Sequence, residues 1–428
     1  MYLIGKTIRK LAKISFFVDF CIMQIETSRL KNGIRIVHAR MDLPVSYCGI
    51  AINTGTRDQL PQQSGMAHFV EHTLFKGTTH RTAGQILNRL ESVGGNLEAY
   101  TTKEETFLYA TVLTSHHDRA LELIADIVFH PTFPQRELEK EKHVIVEEIQ
   151  SYNDSPSELI FDHFEDHLFH GSGLGFNILG DPSVLLHYTS EEALAFVQST
   201  YHTDQMEFFS LSSLPTEKVF QSAEKYLGSI PANLRSQQRI PPKTHKPFHL
   251  KKRKPTHQCH LIIGSHAPHL SSPDYWAFFL LNNLLGGPGM NSRLNLLLRE
   301  RNGLAYSIES SFVPYSDSGV CSIYVGSERK TIDRCSALIL HELKYLREKP
   351  LAEHRLSGYK RQLLGQMTIG TDNHELLALN IAKSLLHTDR MESIEEIKEE
   401  LSHISPIQLC ETANKYFQEA QLSSLLYY

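Results

Sequence analysis

Three ionisable side chains, His68, Glu71 and His72, crowd into the stretch SGMAHFVEHTLFK, residues 64–76. On a helix turning 100° per residue they fall within about 100° of one face. Met66, Ala67, Phe69, Val70, Leu74 and Phe75 cover most of the rest, the pattern of a helix buried nearly all round. Two imidazoles and a carboxylate turned into an apolar interior are costly unless something pairs with them. A divalent metal does so, because neutral imidazole and carboxylate are its usual ligands. The chain has 24 histidines in 428 residues, so H-x-x-E-H arises by chance in roughly one such chain in ten. The plain alternative is a pair of core histidines bonded to a glutamate. A metal reading needs a further ligand from elsewhere.

The segment QRELEKEKHVIVEEIQSY, residues 135–152, offers one. Leu138, Ile145, Ile149 and Tyr152 form its apolar stripe at helical spacing. Glu147 points about 160° from that stripe, whereas Glu141 and Glu148 lie two turns apart on its edge, roughly 40–60° from its centre. The inward carboxylates are therefore Glu141 and Glu148. A solvated charged helix accounts for Glu137, Glu139 and Glu147, but poorly for Glu148, which sits between Val146 and Ile149 on the buried side. The order H-x-x-E-H is the inverted form of the zinc-protease helix motif. A second pair, His163 and His167 with Asp166 at the inverted position, looks similar, but it leads straight into a loop and no later carboxylate-rich helix faces it. It reads as a partly buried polar helix end.

These helices need a scaffold. Hydrophobic content is 41% and charged content 21%, which fits a chain with a large core and two or three domains. The net charge of −5 gives no general pull toward nucleic acid or an anionic membrane. The run Lys251-Lys252-Arg253-Lys254 lacks interleaved aromatics and reads as a solvated strand edge. Six scattered cysteines without C-x-x-C indicate neither a disulfide framework nor a cysteine metal site. No apolar stretch is long enough to span a membrane. Residues 1–22 loosely resemble a signal peptide interrupted by Asp19. They are expected to be a poorly ordered extension, with folding starting at Met23. A cytoplasmic location is expected, with a periplasmic or organellar one left open by that extension.

Along the chain, Asn32-Gly33 between two alternating runs predicts a hairpin. Next come a strand at 45–53, the metal-motif helix to about Gly77, a helix at 83–93, strands at 96–101 and 106–112, and helices at 116–129 and 135–152. Residues 229–256 carry Pro231, Pro241, Pro242, Pro247 and Pro255 and read as an interdomain linker. The element order then repeats: a strand at 259–266, an apolar helix at 274–285, a helix at 291–301, strands at 305–313 and 320–325, and helices at 331–347 and 352–366. We read this as an internal duplication of about 200 residues per copy. Residues 23–228 form a catalytic metal-binding domain, and residues 257–428 a related domain whose apolar helix has no His or Glu. One metal per chain follows.

The second half has its own constellation. GGPGMNSRL, residues 286–294, is glycine-rich but is no phosphate loop, since G-x-x-x-x-G-K-[ST] is absent. LRERNGLAY, residues 298–306, places Arg299 near a helix end and Tyr306 at a strand start. Both can donate hydrogen bonds into a cleft. By composition alone a surface arginine and a packed tyrosine are the more ordinary reading.

Together, SGMAHFVEHTLFKGT, EKHVIVEEI, GSGLGFNILG, GGPGMNSRL and LRERNGLAY resemble the insulinase/pitrilysin family of zinc peptidases, in its short processing-peptidase-like branch. The resemblance runs from about Met23 to the C-terminus. It implies two α+β domains, each a mixed, mostly antiparallel sheet with helices, forming half of a clamshell that pairs into a dimer around a chamber. It implies one Zn2+ per chain on His68, His72 and Glu148, the last just over seventy residues after the second histidine. Glu71 becomes the general base and Glu141 the residue that orients a ligand histidine. Arg299 and Tyr306 become substrate-binding residues, which reverses their ordinary reading. Both halves of the site stand in one chain, so a homodimer suffices, and a heterodimer with a related subunit is the other arrangement. The expected activity is endopeptidase cleavage of unstructured peptides or small proteins. A non-catalytic peptide-binding or scaffold subunit of the same family is the alternative, and a zinc hydrolase of a non-peptide substrate is a further one. One departure stands out. The family's substrate-binding edge strand usually carries Asn-Ala, and this chain has Glu98-Ala99. Backbone pairing survives such a change, so Ala99 is still expected at the substrate.

Overall fold

The computed structural model describes residues 24–243 and 246–428; the expected extension at residues 1–22 and the start at Met23 lie outside the described residues. Strand β1 (Gln24–Arg29) turns into β2 (Arg35–Arg40) at the Asn-Gly pair. Gly33 there has a φ of 102°, a backbone conformation that glycine adopts without penalty. The Asn32 amide secures the turn on the carbonyls of Leu227 and Ile230, at 2.8 and 3.0 Å.

With β3 (Val45–Ile52), β4 (Asn96–Thr101), β5 (Thr106–Leu113) and β6 (Met206–Ser212), these strands form a six-stranded sheet in the order β1-β2-β6-β3-β5-β4. Its only parallel pair is β2–β6. A second sheet uses β7 (His249–Lys252), β8 (Cys259–His266), β9 (Ala305–Pro314), β10 (Gly319–Ser327) and β11 (Ser423–Tyr427) in the order β7-β11-β8-β10-β9. Here β7–β11 is the parallel pair. Without β1, the first sheet has the same topology as the second, strand for strand. The duplication expected from the order of elements is thus present in the sheets themselves.

Helices cover one face of each sheet. In the first half α1 (Met66–Leu74), α2 (Ala83–Glu91), α3 (His117–Phe129) and α4 (Gln135–Asn153) pack into one core with strand residues such as Cys48, Ile50 and Leu108. After α5 (Pro156–Leu168), the second half repeats the layer with α6 (Tyr275–Gly286), α7 (Ile332–Glu348) and α8 (Glu353–Gly370). One stretch departs from expectation: the segment Asn295–Glu300 is wound as a π-helix.

The opposite faces are covered by exchange. Helix α5 leaves its own half and sets Ile160, Phe164 and Leu168 on Ile262, Val320, Tyr324 and Leu425 of the second sheet. Gly264 makes room, since a Cβ there would stand 2.9 Å from the Phe164 ring. Reciprocally, α9 (His374–Thr388) crosses back and places Leu377, Ile381 and Leu385 on Val37, Ala51, Phe107 and Phe209. Each half lacks an outer layer of its own.

Polar ties reinforce the exchange. Buried Arg57 grips Asp317 of the β9–β10 turn with two hydrogen bonds of 3.0 and 2.9 Å and meets Glu104 at 2.5 Å. Arg239, from the stretch between the halves, bonds Asp58 at 2.7 Å. That stretch is not linker throughout, as residues 229–256 were expected to be. Four of its residues form β7, an edge strand hydrogen-bonded only to β11. A short lysine-bearing edge strand resists pairing with other chains, and it overlaps the lysine run read as a strand edge.

Two outcomes follow. Phe164→Ala and Ile381→Ala each remove a buried side chain from an exchanged helix, and each should cost roughly 2–5 kcal/mol. Urea unfolding followed by circular dichroism should show one cooperative transition in both variants, whereas separate transitions for the two halves would contradict the interlock. The second outcome concerns Glu105, buried beside β5, which receives Lys383 at 2.5 Å and His387 at 3.0 Å from α9. Burial opposes its ionisation, but His387 and Lys383 outweigh that and hold its pKa at about 2, below the ordinary 4.5. A depressed carboxyl stabilises the fold above its unfolded value, and that contribution disappears as the pH falls from about 4.5 toward 2. Glu105→Gln should flatten the fall of the urea midpoint across this window.

Candidate metal centre

Helix α1 is seated by close backbone contact at its start. Gly65 has a φ of 82°, and a Cβ there would lie 2.6 Å from the Leu179 carbonyl. The Gln59 side chain caps the first turn, accepting from the Ala67 amide at 2.7 Å. Met66, Ala67, Phe69, Val70 and Leu74 are buried, and His68 is only 7% exposed. The helix ends at Leu74 rather than near Gly77, which frees Lys76 to turn toward α4.

Helix α4 lies alongside and presents both carboxylates that its apolar stripe singled out. His72 Nε2 is 3.4 Å and His68 Nε2 3.8 Å from the same oxygen, Glu148 Oε2. The two imidazole centroids are 4.5 Å apart. One ligand atom from each of the three residues lies within 4.8 Å of the others. Ligands bonded at roughly 2.0–2.1 Å around a tetrahedral ion stand about 3.4 Å from one another, so this donor set and spacing suit zinc. The Glu148 side chain is 43% exposed, more open than its place on the stripe predicts, because it stands where the site meets solvent. Glu141 is more enclosed. It bonds His72 Nδ1 at 3.2 Å and Lys76 Nζ at 2.7 Å, fixing the face of the imidazole that does not point at Glu148.

Burial sets the charge states. It drives the His68 pKa down to about 3, with His72 adding to the effect, so His68 is a neutral imidazole at neutral pH. Burial also pushes the Glu71 carboxyl up, against hydrogen bonds from Thr101. In His72 burial works downward, yet the Glu141 hydrogen bond and the Glu71 and Glu148 charges raise it overall. Thr101 and Lys76 are the neighbours that the sequence reading missed. The nearest signal was position: Thr101 ends β4, and Lys76 lies one helical turn past His72.

The remaining residues fall into two places. Ala99 lies on β4, which among the described residues pairs with β5 alone and forms an edge of the first sheet; its side chain packs toward the α1 layer. Glu98 faces the other way and accepts from the Tyr109 hydroxyl at 2.7 Å. Arg299 and Tyr306 pack on each other, the guanidinium 4.8 Å from the ring centre. Tyr306 is 78% exposed. Among the described residues no hydrogen bond, ion pair or ring contact joins this pair to His68, His72 or Glu148. The His163–His167 pair is a packing feature: His163 bonds the Tyr427 hydroxyl and His167 packs on Phe248.

A sequence model of the insulinase family, peptidase family M16, matches residues 36–182, and one of the inactive domain of peptidase family M16 matches residues 187–363. The chain is 31% identical over 397 residues to an uncharacterized zinc protease of Bacillus subtilis, covering 92% of this chain and 96% of that protein. It is 26% identical to the mitochondrial-processing peptidase subunit beta of Saccharomyces cerevisiae, covering 93% of this chain and 89% of that one. The crystal structure of a protease from Helicobacter pylori shares the fold, with a TM-score of 0.87 at 20% identity over 95% of this chain and 100% of that one.

Zinc titration by calorimetry checks the ligand set. Glu148→Ala should abolish tight binding at this site, and Glu141→Gln should weaken it about 10- to 100-fold by releasing His72. Undiminished affinity in Glu148→Ala would remove that residue from the set.

Proposed function

The chain belongs to the insulinase family of peptidases, M16, and from that premise we propose that it is a zinc-dependent endopeptidase acting on unstructured peptides or small proteins. The observation that carries this reading is the convergence of His68, His72 and Glu148, with Glu71 on the same buried helix. Zn2+ held by these three side chains supplies a Lewis acid that brings the pKa of water toward about 7. The substrate lies as an added strand against the free edge of β4, past Ala99, where backbone groups hold it without regard to most side chains. Glu71 takes the proton of the attacking water and passes it to the leaving amine; burial, by raising its pKa, suits it to that exchange. Glu141 keeps His72 oriented through the 3.2 Å bond to Nδ1.

Arg299 and Tyr306 bind the substrate in this reading. Their exposure, and their lack of contact with the zinc ligands of their own chain, favour a homodimer in which each serves the partner's site. A related subunit in a heterodimer meets the same need. No helix among the described residues is long and apolar enough to cross a membrane, and we take the enzyme to act in the cytoplasm. The second half carries no counterpart of the zinc helix, since α6 reads YWAFFLLNNLLG without His or Glu. One catalytic zinc per chain is the result.

Glu98 in place of the usual asparagine gives some support to a second reading, a non-catalytic peptide-binding subunit. One experiment separates the two. Glu71→Gln should retain the zinc content of the wild type by atomic absorption and lose at least about 100-fold in cleavage of a mixed peptide library read by mass spectrometry. Turnover that survives Glu71→Gln removes Glu71 from the mechanism, and absence of cleavage in the zinc-loaded wild type supports the binding subunit.

A further inference from the structure

A second group of metal-binding side chains stands outside the site described above. Asp126, on the last turn of α3, is 5% exposed. Its Oδ2 is committed to Arg81 at 2.5 Å and Thr78 at 2.8 Å. Its Oδ1 faces two imidazoles: His80 Nδ1 at 2.6 Å and His130 Nδ1 at 3.9 Å. The rings stand edge to face with centroids 5.1 Å apart. His130 Nδ1 is buried and makes no hydrogen bond among the described residues. One ligand atom from each of the three lies within 4.8 Å of the others.

We propose that His80, Asp126 and His130 form a second divalent transition-metal site, distinct from that of His68, His72 and Glu148. The donor set is two neutral imidazoles and a carboxylate, which takes zinc or its neighbours in the first transition row rather than calcium or magnesium. The separations of 2.6 and 3.9 Å bracket the roughly 3.4 Å expected between ligands on a tetrahedral ion. The His80 side chain, 60% exposed, is free to supply the adjustment. Arg81 does not compete for the ion's place, because it holds the other carboxylate oxygen and is itself paired with Glu122 at 2.5 Å. Water completes the coordination on the solvent side.

The ion would tie two segments together. His80 lies in the turn that follows α1, where Thr78 pairs with Pro131, and His130 lies just past the end of α3. Binding there should raise thermal stability without touching the cleavage site, since any ligand that prefers the folded chain stabilises it.

The test uses the full chain titrated with Co2+, followed by calorimetry and visible absorption, beside His68→Ala, His80→Asn and His130→Ala. The wild type should bind two ions. Each single variant should bind one, and the ion lost in His80→Asn should be the same one lost in His130→Ala. Both of those variants should keep wild-type peptide cleavage and lose the rise in melting temperature that the second ion gives. His80 is exposed, so His80→Asn should fold normally even if His130→Ala does not. A single ion in the wild type that His68→Ala abolishes and His80→Asn leaves in place would overturn the proposal, as would two ions retained in His80→Asn. A single ion lost in His80→Asn but kept in His68→Ala would support this site and count against the proposed catalytic one.

Discussion

The pairing of α1 with α4 is the constraint around which the first half is arranged. A helix that is apolar on most sides has to be buried, and burial strands His68, Glu71 and His72 away from water. The carboxylates that answer them come from a helix whose sequence is otherwise that of a solvated surface. Glu148 meets both imidazoles and Glu141 meets His72 and Lys76. Neither helix makes sense without the other. The sheet beneath supplies flat apolar support, and β4 ends at Thr101, beside Glu71.

The duplicated fold places this arrangement once. Two sheets of the same topology carry equivalent helical layers, but α6 fills with aromatic and aliphatic side chains the space that α1 gives to ligands. What the second half offers instead is surface: a π-wound turn carrying Arg299 and an exposed Tyr306 stacked against it. The extra residue per turn of a π-helix commonly marks a functional position.

Much of this was legible in the sequence because it rests on local rules. Helical spacing picked Glu141 and Glu148 over Glu147, and those two are the ones that meet the imidazoles of α1, although Glu148 is exposed like Glu147. The Asn-Gly turn, the glycine start of α1 and the repeated order of elements are likewise properties of short windows. What the sequence concealed depends on distant partners. Nothing within residues 374–388 says that they cover the sheet of the other half. Nothing near Arg57 in the chain announces Asp317, its partner 260 residues on. The run Lys251-Lys252-Arg253-Lys254 signalled a strand edge, but not its partner, because the register of β7 is imposed by β11 from the far end of the chain.

The crossing of α9 also sets a timetable for synthesis. The Arg35 guanidinium finds Asp389 across 354 residues, and Glu105 finds His387 across 282. At roughly 5–20 residues per second on the ribosome, the partner of Glu105 emerges about a quarter of a minute to a minute after it. Until α9 is made, Val37, Ala51, Phe107 and Phe209 lack the side chains that cover them, and α5, once made, waits with Phe164 for strands still to come. Nascent chains of this protein therefore carry an apolar surface that the finished molecule covers with α9.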